Sequence, residues 1–277
     1  MTVKIVTDSV SDIPSDLAKQ LDITMVPLTV NFGVESFLDG VEITPKEFFE
    51  KIETAPSLPT TAAPSIGAFT EVYKDLTGKG HEVVSLHVSG KLSATLSSAT
   101  QAAAELGNEH ISVVDTQAVS AMEALIVTAA ARVAIAGGSV EEVIEKATSS
   151  IGKTAVYVVL DTLEYLQKGG RIGRAAALMG GLLSIKPILT LNDGEVHPHE
   201  KVRTRAKALA RIIEIVQSGG PYEEITVMHA SAENEAEYLT SVLEPMCSDL
   251  PILSSQIGPV VGTHAGPGSV AVATRTI

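Results

Sequence analysis

Residues 88–99 read VSGKLSATLSSA and place five hydroxyl side chains between an apolar run and an Ala-rich one. These residue types suit three chemistries: a serine nucleophile with its base, a phosphate loop, or a hydroxyl grip for an acid. A hydrolase nucleophile normally sits in a G-x-S-x-G turn, and Gly90-Lys91-Leu92-Ser93 misses that frame. A bare serine also needs a base held beside it; His87 and His264 are present, but the sequence does not fix their distance from Ser93. A phosphate loop of the form G-x-x-x-x-G-K-[ST] fails as well, because ATSSIGKT (147–154) has Ala147 at the first glycine and precedes a strand. GPGSVA (266–271) has a loose dinucleotide-loop spacing, yet it also precedes a strand and lies too late in the chain to open a strand–helix–strand unit.

The acid grip keeps its support. LPTTAAPSIGAF (58–69) and VSGKLSATLSSA each stand just before an expected helix, so each offers hydroxyls together with unpaired backbone N–H groups. Helix capping accounts for any one of these Ser or Thr residues taken singly. Two such loops plus GTHAGPG (262–268), whose glycines permit close backbone approach and whose His264 adds a donor, raise the case for a shared anion site. Ser97 and Ser98 are expected on a helix surface. His197 and His199 alternate beside Glu200 on one expected strand, which suits a metal edge but is better explained as a solvated hairpin arm; no metal or cofactor is expected. Acid pairs such as Glu141-Glu142 and Glu223-Glu224 stand at helix or strand starts and read as capping or solvated groups.

The elements that must position these loops follow from the hydrophobic pattern. Apolar residues make up 45% of the chain with no Trp, so the interior is built from Ala, Val, Ile and Leu, as in helices packed on parallel strands. KIVTDS (4–9), ITMVPLTVNF (23–32), HEVVSLHV (81–88) and ISVVDT (111–116) read as strands. Between them stand a helix with Pro14 in its first turn, the capping boxes Thr44/Glu47 and Ser139/Glu142, and the helices 93–106 and 120–136, the latter apolar on several faces. This alternation predicts an α/β fold whose first domain, residues 1–152, is a parallel sheet with helices on both faces.

After the break at Gly152-Lys153, residues 153–277 read as a C-terminal mixed-sheet α/β sandwich with its helices on one face. AVYVVL (155–160), IKPILTL (185–191) and EVHPHEKV (195–202) are its first strands, the last two joined by the hairpin signal NDG. A chain of 277 residues favours two such domains. The net charge of -13 argues against nucleic acid, whose binding needs clustered Lys and Arg. The apolar stretch 121–136 is interrupted by Glu123 and Arg132, so no transmembrane segment is expected. The single Cys247 excludes an internal disulfide framework and suits the reducing cytoplasm.

In their order along the whole chain, a set of motifs resembles the DegV family of bacterial lipid-binding proteins. They are TDSVSDIP (7–14), PTTAAPS (59–65), SGKLSATLSSA (89–99), VVDTQAVS (113–120), LEYLQKGGRIG (163–173), SIKPIL (184–189), EKVRTRAKAL (200–209) and IGPVVGTHAGPGSVAVA (257–273). The resemblance implies a two-domain protein that holds one long-chain fatty acid, such as palmitate, between its domains. Its carboxylate contacts fall on Thr61 of TAAPS and Ser93 of LSAT, and His264 and Arg171 match positions near the head group or the rim. The chain departs from the pattern at Ala62, where Ser is common, and at Ala94, where Gly is usual. The resemblance further implies an acyl carrier without catalytic activity of its own, serving a fatty acid kinase that converts the bound carboxyl to acyl phosphate, with EKVRTRAK as a candidate face for that partner. A serine acyl hydrolase using Ser93 and a lipid-sensing regulatory module are the alternatives. The stretches 121–131 and 175–185 are candidate tunnel lining, although core packing alone is the favoured explanation of them.

Overall fold

The structure, a computed structural model, describes residues 2–107, 109–179, 186–247 and 251–277. In chain order it opens with β1 (Val3–Asp8), α1 (Ser15–Gln20), β2 (Ile23–Val26), β3 (Thr29–Phe32), β4 (Glu35–Leu38), α2 (Pro45–Thr54) and β5 (Thr60–Ala62). There follow α3 (Ile66–Gly78), β6 (Glu82–His87), α4 (Thr95–Leu106), β7 (Ile111–Asp115), α5 (Ala121–Ile135) and α6 (Val140–Ile151). The remainder runs β8 (Thr154–Val159), α7 (Glu164–Lys168), β9 (Lys186–Asn192), β10 (Glu195–Val202), α8 (Arg205–Gly219), β11 (Tyr222–His229), α9 (Glu233–Leu243), β12 (Leu253–Gln256), α10 (Pro259–Ala265) and β13 (Val270–Thr276).

Alternating strand and helix give a parallel sheet in the order β2-β1-β6-β7. Because successive side chains point to opposite faces, Ile5, Val84 and Leu86 join a core with α5 and α6, whereas Val6 and Val83 pack on Phe69 and Tyr73 of α3 and on Ala99 and Ala102 of α4. Helices therefore cover both faces, and both expected capping boxes form. The run ITMVPLTVNF does not remain one strand. Pro27 lacks the N–H a ladder needs, so β2 ends at Val26 and β3 starts anew in a separate antiparallel sheet, β4-β3-β5. The expected hydroxyl loop 58–69 thereby contains a strand, with Thr61 opposite Val30.

The second large sheet is mixed and has six strands in the order β10-β9-β8-β13-β11-β12. Asp193 and Gly194 close the NDG hairpin at φ of 48° and 73°, the positive values that a two-residue hairpin turn requires. On the edge strand β10 the register shifts between Pro198 and Glu200, a bulge at the proline that cannot donate. One face packs Val159, Ile225 and Val272 on Ile212, Val216 and Leu239 of α8 and α9. The other face is covered too, which corrects the one-sided expectation: Val156, Met228 and Ala271 share a core with Leu125, Ile126 and Ala130 of α5. Helix α5 is apolar all round because it lies between two sheets. Residues 180–185 of the candidate lining stretch lie outside the described residues. The Gly- and Pro-rich tail supplies α10 and the interior strand β13, which sits between β8 and β11.

Glu224 overturns the reading of its acid pair as solvated. It is 5% exposed, and its carboxylate accepts from Nη1 and Nη2 of Arg132 on α5 at 3.0 and 2.9 Å and from Nη2 of Arg275 on β13 at 2.9 Å. Arg275 also bonds Glu223 and is itself 1% exposed. Removing one partner of such a cluster strands a buried charge, at a cost of about 3–5 kcal/mol. Glu224→Ala is accordingly expected to lower the unfolding free energy in urea by about 3–5 kcal/mol. A loss of less than about 1 kcal/mol, the range of an exposed pair, would contradict the buried lock.

Candidate functional site

Strand alternation and one helix face build an apolar chamber. Val156 and Val158 of β8, Leu189 and Leu191 of β9, and Ala271 of β13 turn toward a cavity enclosing about 980 Å³ of empty space, its open mouth included. Helix α10 lies along the wall with the i, i+4 pairs Val260/His264 and Val261/Ala265. Of the 24 described residues that line the cavity, 18 are Ala, Val, Leu or Ile and none is Phe, Tyr, Asp or Glu, so the chamber suits a flexible aliphatic guest.

All four residues singled out from the sequence line this cavity: Thr61, Ser93, Arg171 and His264. Thr61 Oγ1 lies 3.0 Å from His264 Nε2, a contact between residues 203 positions apart. Arg171 donates from Nε to the Leu92 carbonyl at 3.0 Å and from Nη1 to the Gly169 carbonyl at 2.7 Å, which places its guanidinium beside the Ser93 loop with Nη2 left for a guest. Ser93 Oγ lies 2.8 Å from Thr95 Oγ1 and accepts from Thr95 N at 3.2 Å, so it satisfies a first-turn N–H of α4 in place of the apolar cap residue Ala94. Ala62 and Ala94 are exposed and do not line the cavity, so the two departures leave its surface unchanged.

The glycines of KGGRIG explain how His264 fits. A Cβ on Gly169 would stand 2.2 Å from His264 Nδ1, so only glycine permits the imidazole to pack on this turn. Sequence reading had the motif but not this role, since the contact joins α7 to α10. Burial, and after it the positive charge of Arg171, push the His264 pKa down to about 4, so the ring is neutral at pH 7. Its Nδ1 is buried with no hydrogen-bond partner among the described residues. One guanidinium and three neutral polar side chains at one end of an aliphatic chamber form a grip for a single-charged acid.

The other candidates fall elsewhere. His87 Nδ1 lies 2.9 Å from Asp8 Oδ2 and its Nε2 lies 2.7 Å from Ser85 Oγ, the partners of a hydrolytic triad. All three residues are fully buried and the Tyr73 hydroxyl donates to Ser85, so no substrate reaches them. Asp8 instead accepts from Val10 N and Val88 N, both at 3.1 Å, and fixes the turns that bring those two valines to the cavity. His199 packs edge-on against Tyr157, with ring centroids 5.1 Å apart, and no group of three or more His, Cys, Asp or Glu among the described residues is placed to hold a metal. In the basic run, Arg205 is engaged by Glu235 and Asp161, whereas Arg203 is exposed. No helix among the described residues is long and apolar enough to cross a membrane.

Comparison with known proteins gives one consistent result. The model of the DegV family, described as an uncharacterised protein family, matches residues 2–276. Protein DegV of Bacillus subtilis is 35% identical over 277 residues, covering 98% of each chain. Among solved structures, a DegV family protein from Thermus thermophilus described by its fatty acid binding superposes with a TM-score of 0.91 at 35% identity over the whole of both chains. The structure of DegV from Bacillus subtilis, described as a fatty acid-binding protein, gives a TM-score of 0.89 at 33% identity over 99% of each chain. From the family match over nearly its whole length, and from the curated and solved relatives at more than 30% identity, the chain belongs to the DegV family.

Proposed function

We propose that the protein binds one long-chain fatty acid, such as palmitate, with its tail in the aliphatic chamber and its carboxylate held by Thr61, Ser93, Arg171 and His264. The observation that carries this reading is the pairing of a cluster of polar side chains at one end with a lining that elsewhere is aliphatic but for Ser120 and Thr190. The fatty acid binding described for the Thermus and Bacillus relatives supports it. At ~0.8 kcal/mol per methylene, a chain of about sixteen carbons gains roughly 10 kcal/mol from burial before the costs of association. The tail thus supplies affinity, and the mouth supplies orientation and replaces the carboxylate's lost water.

We extend the proposal to a carrier with no catalytic step of its own. It acts in the cytoplasm and is built of two domains, residues 1–152 and 153–277, with the acid between them. An acid held carboxyl-outward is protected along its tail and open to phosphoryl transfer, so a fatty acid kinase forming acyl phosphate is the proposed partner. A serine hydrolase is disfavoured by a specific contact: Ser93 is paired with Thr95, while His264 is paired with Thr61.

Hydrogen bonds to a charged group contribute about 1.5–3 kcal/mol each, so Thr61→Ala or Ser93→Ala is expected to weaken fatty acid binding by about tenfold or more. Displacement of a fluorescent fatty acid from lipid-free protein measures this; wild-type affinity in the double variant would sink the assignment of the grip.

The lowered His264 pKa also gives the lipid-free protein an acid-sensitive stability. The unfolded chain protonates near the ordinary histidine value of ~6.5, the folded one only near about 4, so the contribution is complete above the first value and lost as pH falls to the second. Its full size is about 3 kcal/mol, at ~1.36 kcal/mol per pKa unit. Urea unfolding at neutral and at acid pH should show a larger loss in the wild type than in His264→Gln, where His229, also held below its usual value by burial, still contributes; the same loss in both would contradict it.

A further inference from the structure

Below the mouth, one hydroxyl interrupts the aliphatic wall. Ser120, in the turn between β7 and α5, lines the cavity and is 7% exposed. Thr190 also borders it, but Thr190 alternates on β9 with Leu189 and Leu191, which join the cores on the cavity side, and so turns its hydroxyl to the opposite face with Ile188. Ser120 Oγ lies 2.6 Å from Asp12 Oδ2 and 3.4 Å from Met228 Sδ, and it bonds none of the four mouth residues.

The depth of this group can be read along α10. The other oxygen of Asp12 accepts from Gly258 N at 2.9 Å, and Gly258 is the residue that caps α10. His264, which marks the mouth, lies in the last turn of the same helix. Six residues at ~1.5 Å each separate the two levels by about 9 Å. Successive Cα atoms, three bonds apart, stand about 3.8 Å from one another, so an extended chain advances ~1.3 Å per bond and reaches Ser120 about seven or eight carbons from its carboxyl.

The pair is equipped for an uncharged oxygen. Burial, with the nearby charges of Asp39 and Asp8 adding to it, holds the Asp12 carboxyl well above the usual range, against the opposing hydrogen bonds from Ser120 and Gly258. A hydroxyl beside a carboxyl whose charged form is disfavoured offers its lone pairs to a guest hydroxyl with little opposing charge. Ser120 itself is held at φ 53° and ψ -129°, a conformation that strains any residue but glycine, by its N–H bonding the Val10 carbonyl at 3.0 Å. A side chain is retained where glycine would relieve the backbone, and what that side chain adds is the hydroxyl.

We propose that Ser120, backed by Asp12, forms a mid-chain polar subsite that favours fatty acids carrying a hydroxyl about eight carbons from the carboxyl. The proposal rests on the fatty acid reading and adds a chemical class of ligand to it. A chain oxygen at that depth exchanges water for Ser120, whereas one placed against the aliphatic wall elsewhere loses water with no replacement.

Lipid-free protein titrated with stearic acid and with stearic acids bearing one hydroxyl at the eighth, tenth, fourteenth or sixteenth carbon tests this. The eighth- or tenth-carbon isomer should bind about tenfold or more tightly than the fourteenth- and sixteenth-carbon isomers, a difference of about 1.4 kcal/mol. With stearic acid as the reference for each variant, Ser120→Ala and the strain-relieving Ser120→Gly should both erase that preference. Equal affinity for all positions in the wild type, or a preference that survives in both variants, overturns the subsite while the fatty acid reading stands. Failure to bind stearic acid or any isomer overturns that reading and the subsite with it.

Discussion

A cavity between one sheet and the loops that follow the strands of another keeps its shape only if the elements beside it hold their register, and the carboxylate of Glu224 supplies a buried polar lock for that register. It stands between Arg132 on the helix that separates the sheets and Arg275 on the strand at the heart of the mixed sheet. Hydrophobic burial alone has no direction and would let α5 slide on the strands beneath it. The bidentate guanidinium contact sets a register, and its burial makes any displacement costly. The aliphatic chamber depends on that register because its walls are drawn from β8, β9 and β13 on one side and from the loops after β1 and β6 on the other.

The polar mouth shows how a neutral group is prepared to meet a charged one. His264 is deprived of water by its surroundings and repelled by Arg171, so it rests uncharged against Thr61. An incoming carboxylate would bring the negative charge that the guanidinium lacks at the mouth. On the proposed reading the same carboxylate would meet hydroxyls already oriented by backbone contacts, Ser93 by the start of α4 and Thr61 by its place in β5. Little ordering is left to be done on binding, which is what a site of few polar groups needs for useful affinity.

Much of this was legible in the sequence, and the misses have physical causes. Residues 88–99 and 58–69 announced themselves by hydroxyl density, and His264 by the glycines around it, and the structure brings residues of all three stretches to the lining of one cavity. The parallel sheet followed from alternating strands and helices. By contrast, β13 was hidden in a tail rich in glycine and proline, since an interior strand is recognised by its neighbours as much as by its own residues. Pro27 was read through, although a proline in a strand run is itself a warning. Glu224 looked like a solvated acid because the two arginines that enclose it are separated from it by 92 and 51 residues. Gly169 and Ser120 were within recognised motifs, yet their roles come from contacts across the fold that no local pattern encodes.

The central claim is that this chamber holds a fatty acid tail, and native mass spectrometry of the purified protein tests it most directly. The account predicts a single added mass corresponding to one long-chain acid per chain, lost on delipidation and restored by adding the free acid. A chain that stays unloaded in the presence of excess long-chain acid would contradict it.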